Sequence, residues 1–264
     1  MKLAVQEGLL PGATLVEKLD VAEDIGFEGI EFGGHGLLER EAELDNALRG
    51  RTIQFSTICG QPGFNFTHGD PALRRESIDT CKRLLALAGR FGAVGHINPV
   101  AFHPRKLPDL SPYMDGLTLE RALFVELAAE LAEVAEAAGT LLLLEPLNRY
   151  ETYFMNTQDD GVALAERIHR PGVAIMSDFF HMAIEETDTP AALRRAGKWV
   201  RHVHLADNTR LEPGTGCTDF AAGFASLQQI GFGDYMALEC GLSDRQDAKG
   251  ALTRCHEFLK SCMP

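Results

Sequence analysis

The chain has no run of about 20 consecutive apolar residues, the length a helix needs to cross a bilayer, so no membrane-spanning segment is expected. It has no CxxC pair: its six cysteines stand at positions 59, 81, 217, 240, 255 and 262. Several fall inside expected strands or helices, which predicts reduced, buried thiols rather than a disulfide framework. Positive charge is scarce. Lysine and arginine total 25 against 38 acidic residues, a formal net charge of -13. A surface of that sign repels phosphate backbones and argues against a DNA or RNA partner. No distinct Lys/Arg cluster offers to hold a phosphate, since Arg105 with Lys106 is ordinary for a loop, and an unphosphorylated substrate is expected. No linker, low-complexity segment or helical repeat array interrupts the chain. Met1-Lys2-Leu3-Ala4-Val5 enters a strand pattern without a cleavable signal, from which a cytoplasmic location is expected.

What is present is an alternation. Hydrophobic residues make up 45% and charged residues 24% of 264 positions, as in an ordinary globular protein. Short apolar runs at 3–7, 29–32, 52–58, 95–100, 140–146, 173–178, 202–206 and 235–239 read as strands. Amphipathic patterns at 15–25, 38–48, 71–91, 119–138, 157–168, 190–196, 219–230 and 245–260 read as helices. In the fourth helix Leu123, Leu127, Leu131, Val134 and Ala138 recur at spacings of three and four, with Glu120, Glu126, Glu130, Glu133 and Glu136 among the other positions. Gly26, Gly50, Gly92 and Gly139 stand where left-handed helix stops would precede a strand. Thr157 with Asp160 reads as a capping box with Asp in place of the usual Glu.

Eight strand–helix units with near-continuous apolar strands predict a parallel sheet covered by helices. An α/β single-domain (β/α)8 barrel over residues 1–264 fits best, at about the 250 residues such barrels need. A doubly wound open sheet is the alternative, but its Gly-rich dinucleotide fingerprint is missing after the first strand. Segments 60–69 and 99–116 are the long loops. The first carries Phe64 and Phe66; the second carries four prolines with Phe102, His103, Tyr113 and Met114. Each is read either as a cover over a substrate or as a surface excursion, with aromatics that would also suit a subunit interface.

Four polar residues sit near the ends of strands five to eight: Glu145 after four leucines, Asp178, His204 and Glu239. Any one of them alone would be unremarkable as a structural or solvated group. Together, in a barrel, those ends are adjacent and face the active side. Two Glu, one Asp and one neutral His form a mostly oxygen donor set that suits one divalent metal, Mn, Mg or Co better than a thiolate-loving ion. Just beyond lie Glu151, His181 and Arg210, at a distance suited to a substrate rather than the metal. His202 is expected to point away from His204 and to serve packing.

The stretches Glu145-Pro-Leu-Asn-Arg-Tyr-Glu151, Asp178-Phe-Phe-His181-Met and His202-Val-His204-Leu-Ala-Asp-Asn-Thr-Arg210 resemble motifs of the xylose isomerase-like barrel superfamily. The resemblance is closest to its ketose 3-epimerases, the D-tagatose and D-psicose 3-epimerase group. It implies that Glu145, Asp178, His204 and Glu239 bind one divalent ion, Mn or Co foremost with Mg or Zn as alternatives. It further implies that Glu145 and Glu239 exchange a proton next to a ketose or keto-polyol carbonyl, while Glu151, His181 and Arg210 contact the sugar. A homodimer or homotetramer is also implied. Gln6, Glu31, Cys59, His96 and the Asn98-Pro99-Val100-Ala101-Phe102 segment show no match to the family. A metal-dependent dehydratase or lyase of the inosose or dehydroshikimate type is therefore the alternative. A DNA-repair nuclease similar to endonuclease IV is a remote one, opposed by the charge and by the lack of an Asp-x-His pair after Arg210.

Overall fold

The computed structural model describes residues 1–264. Eight parallel strands close into a barrel in sequence order: β1 (Lys2–Gln6), β2 (Gly29–Gly33), β3 (Gln54–Cys59), β4 (Gly95–Asn98), β5 (Leu141–Leu144), β6 (Val173–Asp178), β7 (Val200–Leu205) and β8 (Tyr235–Leu238). The helices around it are α1 (Leu15–Ile25), α2 (Glu41–Leu48), α3 (Pro71–Arg90), α4 (Gly116–Ala138), α5 (Gln158–Ile168), α6 (Phe179–Glu185), α7 (Thr189–Ala196), α8 (Phe220–Gln229) and α9 (Ala248–Cys262). No helix is long and apolar enough to cross a membrane. All six cysteines are free; Cys81 and Cys255 are buried as expected, but Cys217 is exposed.

The expected elements are found with ends moved by a few residues, and α6 is an addition. It follows β6 without a loop, so its residues read as a continuation of the apolar run. Asp178 starts it, its Oδ1 accepting from the Phe180 and His181 amides. The Thr157–Asp160 capping box is formed at α5. Gly26 and Gly139 end α1 and α4 in the left-handed region, at φ 105° and 71°, where a Cβ would be strained.

Strand periodicity sorts side chains into two layers. On one face, Leu142 and Leu144, Val173 and Ile175, Val203 and Leu205, and Met236 and Leu238 join a core of 56 residues packed against the helices. On the other, Leu143, Ala174 and Met176 meet Ile97 inside the barrel, and Ala237 packs with Ala4 and Tyr235. Continuing that inner parity by one step leads to Glu145, Asp178, His204 and Glu239. The barrel itself aims all four at its open end.

Two register shifts refine the aim. Between β2 and β3, Ile30 pairs with Phe55 but Glu31 with Thr57, leaving Ser56 as an extra residue. Between β6 and β7, Ile175 pairs with Val200 but Met176 with His202, leaving Arg201 extra and setting Asp178 opposite His204. Such bulges re-aim side chains next to a site. The expectation for His202 is corrected here. Residues two apart on a strand share a face, and both histidine rings enter the barrel with centroids 5.2 Å apart.

Helix α4 also departs from expectation. Its buried face is Glu120, Phe124, Ala128, Leu131, Ala132 and Ala135, because small alanines let the helix approach most closely while Leu127 and Val134 flank the contact. Glu120 is fully buried rather than exposed. It accepts from the Lys106 and Leu107 amides at 3.3 Å each and from the Tyr153 hydroxyl at 3.0 Å. One carboxylate thus ties the 99–115 loop to the loop after β5. Phe66 is buried in the core, whereas Phe102 and Tyr113 are exposed.

Candidate active site

Glu145, Asp178, His204 and Glu239 come together as the strand ends predict: one donor atom from each lies within 4.8 Å of all the others. From His204 Nδ1 it is 3.1 Å to Glu239 Oε2, 3.6 Å to Glu145 Oε1 and 3.9 Å to Asp178 Oδ2. Asp178 Oδ2 and His204 Nδ1 are buried and have no hydrogen-bond partner. Unpaired buried polar atoms are costly, and two aimed into one acidic cluster are what a cation site requires.

The electrostatics agree. Burial raises Glu145 above the usual carboxylate range, and burial together with the Glu239 charge pushes Asp178 up to about 7. Burial alone would raise Glu239 as well, but the neighbouring His204 brings it down to about 2. Burial would lower His204, yet the charges of Glu31 and Glu239 raise it well above the ordinary imidazole value. A divalent ion would displace the protons of Asp178 and His204 and supply the compensating charge. Three oxygen donors and one imidazole suit Mn, Mg or Co, and nothing in the donor set selects among them.

The three residues expected at the substrate surround the same opening. His181 Nδ1 accepts from the Asn148 backbone amide at 3.2 Å and from its side-chain amide at 2.8 Å. Its proton is therefore on Nε2, which lies 3.4 Å from Arg210 Nη1 and 3.6 Å from Asp178 Oδ2. Burial lowers the His181 value, keeping the ring a neutral donor. Arg210 Nη1 is 3.4 Å from Glu151 Oε1 and Nη2 is 3.6 Å from Glu239 Oε2, with the guanidinium 4.5 Å above the Phe180 ring. Arg210 sits at φ 58°, an uncommon backbone for a side-chain residue. Asp207 braces its loop by accepting from the Gly214, Gly216 and Thr218 amides at 2.8–3.1 Å.

Glu145, Glu151, His181, Arg210 and Glu239 border a cavity of about 170 Å³ that also touches Cys59, Phe64, Pro99 and Phe102. Arg210 is its one permanent cation. A larger cavity of about 350 Å³, at Arg170, Lys198, Trp199 and Arg201, opens where β6 and β7 begin, the barrel end associated with stability rather than chemistry.

Sequence reasoning missed a layer beneath the candidate ligands. Glu31, Gln6, Thr57 and His202 form one hydrogen-bonded group under His204 and Glu239. The available signal was a carboxylate inside an apolar strand, Gly29-Ile30-Glu31-Phe32.

Comparison with known proteins agrees with this architecture. A family model described as xylose isomerase-like TIM barrel matches residues 19–262. A 3-dehydro-D-guloside 4-epimerase of Escherichia coli (strain K12) is 31% identical over 268 residues, covering 99% of this chain and 100% of the relative. An L-ribulose 3-epimerase of Mesorhizobium japonicum is 39% identical over 239 residues, covering 85% of this chain and 74% of the relative. The solved apo structure of an E. coli 3-keto-D-glucoside 4-epimerase superimposes with a TM-score of 0.89 at 28% identity, over 99% of this chain and all of that one. The chain belongs to the xylose isomerase-like TIM barrel family.

Proposed function

We propose that this protein is a divalent-metal-dependent sugar epimerase that removes and returns a proton next to the carbonyl of a ketose or related keto-sugar. The observation that carries the proposal is the placing of Glu145 and Glu239 in one candidate cation cluster on the wall of one cavity, with His181 and Arg210 beside them. The names of the two sugar-epimerase relatives support the reaction class.

Glu145, Asp178, His204 and Glu239 would hold a divalent cation, which would supply an electrophile that stabilises negative charge on substrate oxygen. The chain does the rest. One of Glu145 and Glu239 takes the proton from the carbon next to the carbonyl. The C–H electron pair becomes a carbon–carbon double bond, and the carbonyl pair moves onto oxygen. The other, which enters the cycle as the neutral acid, gives its proton to the opposite face of that carbon as the oxygen pair re-forms the carbonyl and the double-bond pair makes the new C–H bond. The two groups thus exchange protonation states and the epimer results. His181 Nε2–H and Arg210 donate to the oxygen on which charge grows. Glu151, held by Asn148 Nδ2 at 3.0 Å, accepts from a substrate hydroxyl. A phosphorylated sugar finds no cation free of carboxylate neighbours here, so a neutral sugar is the substrate.

The preferred form is a ketose 3-epimerase. A second form, in which the carbonyl is at C3 and C4 is inverted, is favoured by the 4-epimerase relative that matches end to end. Proton NMR in D2O with the Mn-loaded protein separates them, using L-ribulose, D-psicose and a 3-keto-glucoside. Deuterium at C3 of a ketose with its C3 epimer establishes the first form; deuterium at C4 of the keto-glycoside establishes the second. Loss of 18 daltons from a keto-polyol substrate would replace both with the dehydratase reading.

A further inference from the structure

We infer that Glu31, on a strand that contributes no metal ligand, is the positioning residue for two of the four candidate ligands, His204 directly and Glu239 through Gln6. The inference rests on the metal reading above. Glu31 is 0% exposed, and every group that touches its carboxylate is a donor. Oε1 accepts from Gln6 Nε2 at 2.9 Å and from His204 Nε2 at 3.0 Å. Oε2 accepts from Thr57 Oγ1 at 2.5 Å and from His202 Nε2 at 2.9 Å.

The consequence for His204 is geometric. An imidazole that gives its Nε2–H to a buried carboxylate has its lone pair on Nδ1, the nitrogen that faces Glu145, Asp178 and Glu239. A ring with the opposite tautomer would aim a hydrogen at the ligand cluster and leave Nε2 facing Glu31 lone pair to lone pair. Neither the ring flip nor the tautomer is then free to vary.

The consequence for Glu239 passes through one amide. Gln6 Nε2 donates one hydrogen to Glu31 Oε1 and reaches Glu239 Oε1 at 3.2 Å with the other. Cys59 Sγ adds a second contact to that oxygen at 3.4 Å. With Oε1 held from below, Oε2 is the oxygen turned toward His204 Nδ1 and Arg210. Glu31 also explains the β2–β3 register shift, since pairing Glu31 with Thr57 rather than Ser56 brings the Thr57 hydroxyl onto Oε2. Its neighbours Ile30 and Phe32 face the helices, so Glu31 is the residue of this strand turned inward at that level.

The test measures metal binding apart from turnover. Mn2+ is titrated into the metal-free protein by calorimetry for the natural chain, Glu31→Gln and Gln6→Met, and the Co2+ absorption bands are recorded for each. Loss of an outer partner of a ligand weakens a metal by about 10–100-fold, which is the drop expected for Glu31→Gln, with altered Co2+ bands. Gln6→Met, which frees Glu239 and takes one donor from Glu31 but leaves the Glu31–His204 bond, should weaken Mn2+ by a smaller factor and lower kcat more than it raises KM. A folded Glu31→Gln with natural Mn2+ affinity and unchanged Co2+ bands overturns the inference. Should Glu31→Gln not fold, 15N NMR of the natural Mg2+-loaded chain decides: a His204 proton on Nε2 supports it and one on Nδ1 overturns it. A natural chain that binds none of these ions overturns the metal reading itself, a result distinct from failure of the Glu31 assignment.

Discussion

The two halves of the barrel divide the work differently. Strands β5 to β8 each carry one candidate ligand at or next to their ends, at Glu145, Asp178, His204 and Glu239, and the segments that follow add Glu151, His181 and Arg210. Strands β1 to β3 offer no member of that four-residue cluster; they place Gln6, Glu31 and Thr57 beneath it, while Phe64 and Phe102 wall the cavity. The candidate reacting groups thus come from one half, while most of the layer beneath His204 and Glu239 and part of the cavity wall come from the other. A barrel permits this because every strand points its inner parity into the same volume, so a supporting residue can act across the barrel on a ligand far away in sequence. Glu31 and His204 are 173 positions apart and in hydrogen-bond contact.

The sharpest way to break the comparison is to remove a carboxylate of the reacting half. Glu239→Gln keeps the shape but removes both a candidate base and one of the four candidate ligands, and kcat should fall by about 10² to 10⁴-fold. Steady-state kinetics in saturating Mn2+ would check this, with circular dichroism showing an intact fold. Turnover within a few fold of the natural chain would remove Glu239 from the chemistry. Next in size comes His181→Asn, which deletes the neutral Nε2–H donor. A lost donor to developing negative charge costs about 10² to 10³ in kcat, so that range is expected here while Mn2+ affinity stays unchanged. A fall in Mn2+ affinity instead would move His181 from the substrate to the metal.

The reacting half was legible because its signals are local. A polar residue that ends an apolar run announces itself, and the eightfold alternation says which ends are neighbours. The supporting half was not legible in the same way. Glu31 lies inside a run, Gly29-Ile30-Glu31-Phe32, and what it does depends on a register shift that no pattern in the chain displays. His202 was misplaced by neglect of the strand period. Glu120 read as one of five glutamates of α4 outside its apolar spacing; only tertiary packing shows it buried and accepting from two loop amides. Helix α6 was hidden because an apolar run that passes from strand to helix without a turn residue carries no punctuation.

A smaller effect is expected at the cavity wall. The Phe64 and Phe102 rings meet edge to face, with centroids 5.5 Å apart, and both border the substrate space. An aromatic pair of this kind contributes about 0.5–1.5 kcal/mol beyond its buried area. Phe102→Ala should therefore lower kcat/KM by about three- to tenfold, through KM, and relax discrimination among sugars that differ away from the carbonyl. Competition between two ketose substrates would read this out. An equal loss for every sugar would place Phe102 in the loop's stability rather than in selection.

The last predicted effect lies deepest in the supporting half and is read in stability rather than in turnover. His96 on β4 lies 3.0 Å from the Gly60 carbonyl through Nε2 and 3.3 Å from Cys81 Sγ through Nδ1, so the neutral ring donates to one and accepts from the other. Burial lowers its value to about 4. In the unfolded chain the ring protonates near 6.5, so between those values the unfolded state binds the extra proton. Stability that depends on the neutral ring is fully present above about 6.5 and is lost as pH falls toward 4, at up to about 1.4 kcal/mol per pH unit. His181 and His202, also lowered by burial, contribute with the same sign. The decisive quantity is therefore the difference between the natural chain and His96→Asn in urea unfolding at pH 7.5, 5.5 and 4.5. The variant should start less stable and lose less on acidification, its slope shallower by up to one proton. Parallel slopes would mean that His96 binds its proton as readily in the fold as in the unfolded chain, so that burial does not lower it and its bond to the Gly60 carbonyl at the cavity edge survives protonation of the ring.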